Sequence, residues 1–153
     1  MKNDQGMSSI VKSAVLVVAI PATMFGLYVI SHGHLTPGGG FPGGAIMASV
    51  VAMFLVAYGS KMKMGKNVFS VLESIGLVAF ALLAFAGISQ AFFRNVLANS
   101  GQLFGMPVPF GPNPGYLNTG GLIPLMNFAV GLEVFAALSL IIIMMYRSGE
   151  GKK

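Results

Sequence analysis

The hydrophobic residues of this chain fall into four long runs, separated by polar or glycine- and proline-rich stretches. The runs cover about residues 10–31, 43–59, 68–93 and 120–146. A helix that spans a bilayer needs about 20 consecutive, mainly apolar residues. The pattern therefore predicts an all-α membrane protein with four transmembrane helices, of which the second is short and the fourth is long.

The composition supports a membrane location. Of the 153 residues, 55% are hydrophobic and only 8% are charged, and the mean hydropathy is +0.80. Soluble domains carry roughly 25% charged residues, so a soluble fold would have too few charged side chains to cover its surface. We expect a single membrane domain over residues 1–153 that lies in the lipid bilayer.

The basic residues predict how the chain is oriented, because they favour the cytoplasmic side of a membrane. The stretch between the first two runs has no lysine or arginine, and the long connection before the fourth run, which includes the proline-rich residues 105–116, has only Arg94. Both termini are therefore predicted to be cytoplasmic, in a multi-pass protein of the cell membrane. The remaining basic residues lie in the N-terminal arm and first turn, between the second and third runs, and in the tail: Lys2, Lys12, Lys61, Lys63, Lys66, Arg147, Lys152 and Lys153.

Residues 32–44 interrupt the apolar pattern between the first two runs. They contain six glycines, two prolines and both histidines of the chain. Glycine and proline destabilise the interior of a helix. Irregular backbone in a membrane protein is tolerated only at the surface, or where protein or a water-filled cavity satisfies its polar groups. We therefore predict a break here, with the second helix starting at about residue 43.

The two histidines, His32 and His34, lie at this break. Their spacing places them on one side of an extended strand but on different sides of a helix. Histidine exchanges protons near neutral pH, so one hypothesis is a proton relay. The other is that both rings cap the helix end or bond the irregular backbone. Two histidines without a third strong ligand make a poor metal site, and no metal is expected.

Two carboxylates lie inside the predicted spans. Glu133 is near the middle of the fourth run, where a charge is costly and normally faces a bundle interior or an aqueous path. A carboxylate that holds either a proton or a cation suits sodium and proton transport. The competing interpretation is a structural one, in which Glu133 hydrogen-bonds to a neighbouring helix. Glu73 is either the cytoplasmic mouth of a cation path or a carboxylate favoured by the start of the third helix.

The Gly/Pro-rich break also resembles a family signature. The signature positions are His32, His34, Pro37, Gly38, Gly39, Gly40, Phe41, Gly43 and Gly44. In these positions the chain is similar to the B subunit of multisubunit Mrp/Mnh-type cation/proton antiporters, the MnhB family, and the resemblance extends over nearly the whole chain. The glycines and prolines of the motif cannot bind a proton, so we expect them to set the shape of the chain by close packing or by turning carbonyls towards a cation or water.

The resemblance implies an accessory subunit of a large membrane complex that exchanges Na⁺ for H⁺, with other antiporter subunits as partners. Related modules occur in energy-converting membrane hydrogenases, so a redox-driven complex is the second setting that it implies. Three roles stay open: a subunit whose Glu133 joins an ion path, a purely structural subunit, and an independent carrier. The last is the weakest, because four helices with one central carboxylate offer little for alternating access.

The sequence gives little support to an enzyme or a nucleic-acid-binding protein. It has no nucleophile–base pair, phosphate loop or cofactor motif, so no cofactor is expected. The absence of cysteine excludes disulfides, cysteine metal sites and thiol nucleophiles from this chain. The net charge of +5 comes without a basic stripe interleaved with aromatic residues, and we expect no nucleic-acid partner.

Overall fold

The computed structural model describes residues 7–35, 37–59, 65–86, 88, 91–99 and 120–150. Within them the chain forms four helices, each long and apolar enough to cross a membrane. The bounds are Ser9–Ser31 for α1, Gly40–Tyr58 for α2, Lys66–Phe85 for α3 and Leu122–Glu150 for α4. The predicted all-α fold with four membrane-spanning helices is confirmed. The orientation of the termini stays a prediction, and the proline-rich residues 105–116 lie outside the described residues.

Helix α2 starts at Gly40, three residues earlier than the sequence pattern predicts. Pro42 is the third residue of the helix, where its missing N–H is one of the donors that has no intrahelical partner in any case. The Gly43 N–H already donates to the Gly39 carbonyl, at 3.3 Å. Gly39 precedes the helix with a φ of +96°, a conformation that favours glycine. The second half of the motif is thus helical, and the break is shorter than predicted.

Helix α3 ends at Phe85, well before residue 93, where the apolar run ends. The chain turns back at Phe93, which has a φ of +58° and donates its N–H to the Ala84 carbonyl at 3.0 Å. The rings of Phe92 and Phe93 pack on Phe85 and Phe80, with centroids 5.4 Å and 5.7 Å apart. The apolar residues beyond Phe85 therefore cover the end of α3 and do not extend it.

The four helices pack in the order α1, α2, α4, α3. Helix α4 lies between α2 and α3, and α1 packs along α2 with a small contact to α4. Helices α2 and α4 are parallel, since Gly40 meets Val130 near their start and Gly59 meets Tyr146 near their end. The outer helices α1 and α3 expose many large apolar side chains. Such faces suit lipid or neighbouring membrane subunits.

Glycines allow the helices to approach closely. A Cβ atom on Gly43 of α2 would lie 2.7 Å from the Gly26 carbonyl oxygen of α1. A Cβ atom on Gly44, one residue further, would lie 2.7 Å from the Gly131 carbonyl oxygen of α4. Helices in membranes associate largely through such close packing, because lipid tails are as apolar as the side chains they contact.

The start of α4 is held by Asn95, which lies in the turn region after α3. Its Nδ2 donates to the Gly120 carbonyl at 2.9 Å, and its Oδ1 accepts from the Leu122 N–H at 2.7 Å. Gly121, between these two groups, has a φ of +59°. One amide side chain therefore satisfies a donor and an acceptor at a helix start that has unpaired backbone groups.

Gly44→Ala tests the α2–α4 contact. We expect a loss of about 1–3 kcal/mol in the free energy of unfolding, as for other overpacked core positions. Gly149→Ala in the last turn of α4 is the matched control, because a Cβ atom there has nothing within 4 Å. Denaturant unfolding of the full chain, followed by circular dichroism, measures both. Equal stability of the two variants would contradict the contact.

Candidate functional site

Glu133 lies on the side of α4 that faces α3. A Cβ atom on Gly76 of α3 would be 2.8 Å from the Glu133 backbone nitrogen and 2.9 Å from its Cβ. Gly76 is buried and Glu133 is half-buried. The small residue on α3 thus leaves room for the first atoms of the Glu133 side chain at the helix interface.

The Glu133 carboxylate has neither a hydrogen bond nor an ion pair with another described residue. Its side chain is half-buried. A charged group in this position normally pairs with another group or faces an aqueous path. Glu133 is thus a half-buried carboxylate for which the described residues supply no partner.

Glu73 lies at a depth similar to that of Glu133. The contact of Phe69 with Phe135, at 5.9 Å between ring centroids, and that of Gly76 with Glu133 show that α3 and α4 are antiparallel. Glu73 lies between these two contacts along α3 and is half-buried. It is the eighth residue of α3, beyond the first turn in which the helix dipole favours a carboxylate.

His32 caps the end of α1. Its Nδ1 lies 3.2 Å from the Tyr28 carbonyl oxygen and 3.2 Å from the Ser31 Oγ. Its ring stacks on Tyr28 with centroids 4.1 Å apart. His32 thus contacts the last turn of its own helix.

His34 has different surroundings, at the start of α4. A Cβ atom on Gly120 would be 2.9 Å from the His34 Cδ2. Both ring nitrogens of His34 are buried and have no hydrogen-bond partner among the described residues. The break therefore directs its two histidines to separate places.

Asn127 of α4 faces the Gly/Pro-rich break. Its Nδ2 would be 2.6 Å from a Cβ atom on Gly33, and its Oδ1 would be 3.0 Å from one on Gly39. Like the His34 nitrogens, Nδ2 is buried and unpartnered within the described part of the chain. Asn127 and Gly131 face the break and α2, whereas Glu133 faces α3, so α4 separates the histidines from the carboxylates.

The motif glycines make contacts within this chain. A Cβ atom on Gly40 would clash with the Asn127 carbonyl oxygen and Val130, one on Gly43 with Ile30 and Gly26, and one on Gly44 with Gly131. Pro37, Gly38 and Phe41 are instead exposed, with Phe41 65% exposed. The glycines at positions 40, 43 and 44 thus pack inside the bundle, whereas Pro37, Gly38 and Phe41 lie on its outside.

Sequence reasoning missed Gly76, Asn95 and the location of Asn127. A glycine inside an apolar helical run indicates close packing, and Gly76 is such a glycine. Nothing local in the sequence marks Asn95 as the residue that holds α4, because its partners follow 25 and 27 residues later.

Four packed helices, each long and apolar enough to cross a membrane, indicate a multi-pass membrane protein. The family model described as "Domain related to MnhB subunit of Na+/H+ antiporter" matches residues 10–140. The chain belongs to this MnhB family.

Relatives from two organisms are similar in sequence. An uncharacterized protein of Methanocaldococcus jannaschii, MJ1307, is 33% identical over 132 residues, which are 85% of this chain and 49% of that protein. A Staphylococcus aureus protein named as an antiporter subunit, mnhB2, is 36% identical over 106 residues, which are 69% of this chain and 64% of that protein. The chain thus spans about half to two-thirds of the length of these relatives.

A solved structure is similar as well. A chain from the membrane-bound sulfane sulfur reductase, an archaeal respiratory membrane complex, superposes with a TM-score of 0.76 at 28% sequence identity. The match covers 95% of this chain and 60% of that chain. The fold described above therefore also occurs in a chain of a respiratory complex.

Gly76→Ala tests the contact between α3 and Glu133. The added methyl group meets backbone atoms of α4, which cannot rotate away, so we expect a loss of about 1–3 kcal/mol in the free energy of unfolding. Ser74→Ala is the control, because Ser74 is exposed and bonds only within its own helix. Urea unfolding of the full chain in micelles compares the two, and the contact is refuted if Gly76→Ala is as stable as Ser74→Ala.

Proposed function

We propose that this chain is an accessory integral-membrane subunit of a multisubunit cation/proton antiporter module that exchanges Na⁺ for H⁺ across the cytoplasmic membrane. In this proposal residues 1–153 form a single membrane domain with both termini in the cytoplasm. The chain itself has no catalytic role. Its membership of the MnhB family supports the proposal, together with a half-buried carboxylate inside a membrane-spanning helix that has no partner among the described residues.

Glu133 is the residue that we assign to the ion path. Its carboxylate has no partner among the described residues, and Glu73 lies at a similar depth across the same helix interface. A carboxylate inside a membrane takes up either a proton or a cation to lower its charge. Two carboxylates at one level would give a migrating Na⁺ or H⁺ an intermediate position between the two sides of the membrane.

Neighbouring antiporter subunits are the partners that this arrangement implies. Helices α1 and α3 expose apolar faces, and Phe41 extends outward from the start of α2. The inward-facing glycines of the motif support a role in shaping the chain, so that the outward residues Pro37, Gly38 and Phe41 are presented to a neighbour.

Glu133→Gln in the assembled complex tests the ion-path assignment. The amide is close in size but cannot carry the negative charge, so we expect normal assembly and loss of most Na⁺/H⁺ exchange. Glu150→Gln, the same change at the end of α4, is the control. Exchange is measured in everted vesicles with a pH-sensitive dye after addition of NaCl. Normal assembly with unchanged exchange would exclude Glu133 from the path and leave a structural subunit.

The similarity to a chain of the sulfane sulfur reductase complex favours a second setting. Here the chain would be a structural membrane subunit of a redox-driven ion-pumping complex, with no ion-binding role. The bundle suits both settings, because close helix packing needs no ion.

Purification of the native complex through a tag on this chain distinguishes the two settings. We expect antiporter-type membrane subunits without iron–sulfur subunits, identified by mass spectrometry. Stoichiometric iron–sulfur or other redox subunits would instead assign the chain to a redox-driven complex. In that case the Glu133→Gln variant is compared with the unsubstituted chain in the purified complex.

A further inference from the structure

Three buried polar atoms near the start of α4 have no hydrogen-bond partner among the described residues. They are Nδ1 and Nε2 of His34 and Nδ2 of Asn127. Buried polar side chains in native proteins nearly always have partners, and an exception has a specific physical cause. Three such atoms near the start of α4, on two residues, form an unusual concentration.

The surrounding contacts place these atoms between the Gly/Pro-rich break and α4. The His34 ring lies against Gly120, and the Asn127 amide lies against Gly33 and Gly39. Asn127 is five residues after Leu122, the first residue of α4, or about 8 Å along the helix. Hence the site lies close to one end of the bundle, within reach of the aqueous phase on that side.

A neighbouring subunit is poorly placed to supply the missing partners. The three atoms are already buried inside this chain, so a side chain of another subunit could reach them only if the break moved. Water is the smallest molecule that both donates and accepts hydrogen bonds, so it reaches these atoms with the least displacement of the break.

The donors and acceptors of the site indicate which molecule this is. The Asn127 Nδ2 only donates, and a neutral imidazole donates with one nitrogen and accepts with the other. Water both donates and accepts, so it can complement each of these three atoms. A bare cation would meet the hydrogens of the Asn127 amide, and an anion would bring an uncompensated charge into the protein.

We propose that His34 and Asn127 hold one or more water molecules between the break and α4, and that His34 exchanges its ring proton with this water. Buried waters typically make about three hydrogen bonds to such atoms. The water site lies across α4 from Glu133, and the proposal does not depend on a role of Glu133 in an ion path.

Solid-state NMR of the full chain in lipid bilayers, with ¹⁵N-labelled histidine, tests the proposal. The chain has only two histidines, so His32→Gln leaves His34 as the only labelled residue. We expect magnetisation to pass from water protons to at least one His34 ring nitrogen. His32 in the unsubstituted chain, half-exposed at the end of α1, is the positive control. A His32 signal with no transfer to His34 would refute the water site.

Asn127→Leu, made in the His32→Gln chain, tests whether the amide holds the water. We expect transfer to His34 to fall several-fold. Asn67→Leu on an exposed position of α3 is the matched control and should leave the transfer unchanged. Equal transfer in the two variants would refute the role of Asn127. If the Asn127→Leu chain does not fold, the His32→Gln chain alone still decides whether the site holds water.

Discussion

The close approach of α4 to both of its neighbours is the constraint on which this bundle depends. Gly44 of α2 and Gly76 of α3 meet the carbonyl oxygens of Gly131 and Ala129 from opposite sides of α4. These carbonyls are only two residues apart, so both contacts occur at one level of the central helix. In a lipid environment there is little hydrophobic gain from burying one apolar helix against another. Van der Waals contacts between closely spaced helices therefore have to supply much of the packing energy.

The same contacts decide where the polar groups of α4 lie. Gly131 must face α2, and this orients Asn127 towards the break. Ala129 and Glu133 must face Gly76, and this orients the carboxylate towards α3. Asn127 and Glu133 are thus directed to opposite flanks of α4, and the helix itself keeps their environments apart.

The sequence was sufficient to predict the number and type of helices, because an apolar run of about 20 residues matches the length of a membrane-spanning helix and exceeds that of most buried helices or strands. The start of α2 was predicted too late, since the penalties for Gly43 and Pro42 apply to helix interiors and not to the first turn. The end of α3 was predicted too late, because Phe92 and Phe93 are as apolar in a turn as in a helix.

The polar sites were less predictable than the helices. The depth of Glu133 could be predicted from its position in the fourth run. Its contact with Gly76 could not be predicted, because the pairing of α3 with α4 is a tertiary property. The same limit applies to His34 and Asn127. These residues lie far apart in sequence, and they come to the same side of α4 only when α4 packs beside the break.

The parallel arrangement of α2 and α4 also affects the surrounding lipid. Helix α4 begins eight residues before Val130, the residue that meets the start of α2 at Gly40, so it extends about 12 Å further at this end. Helix α1 ends near the same level as α2, since Ile30 contacts Gly43. The hydrophobic thickness of the bundle is therefore smaller on its α1–α2 side than along α4. A hydrocarbon core about 30 Å thick matches the lengths of α1 and α2, so a bilayer fitted to these two helices leaves the first two turns of α4 in the headgroup region.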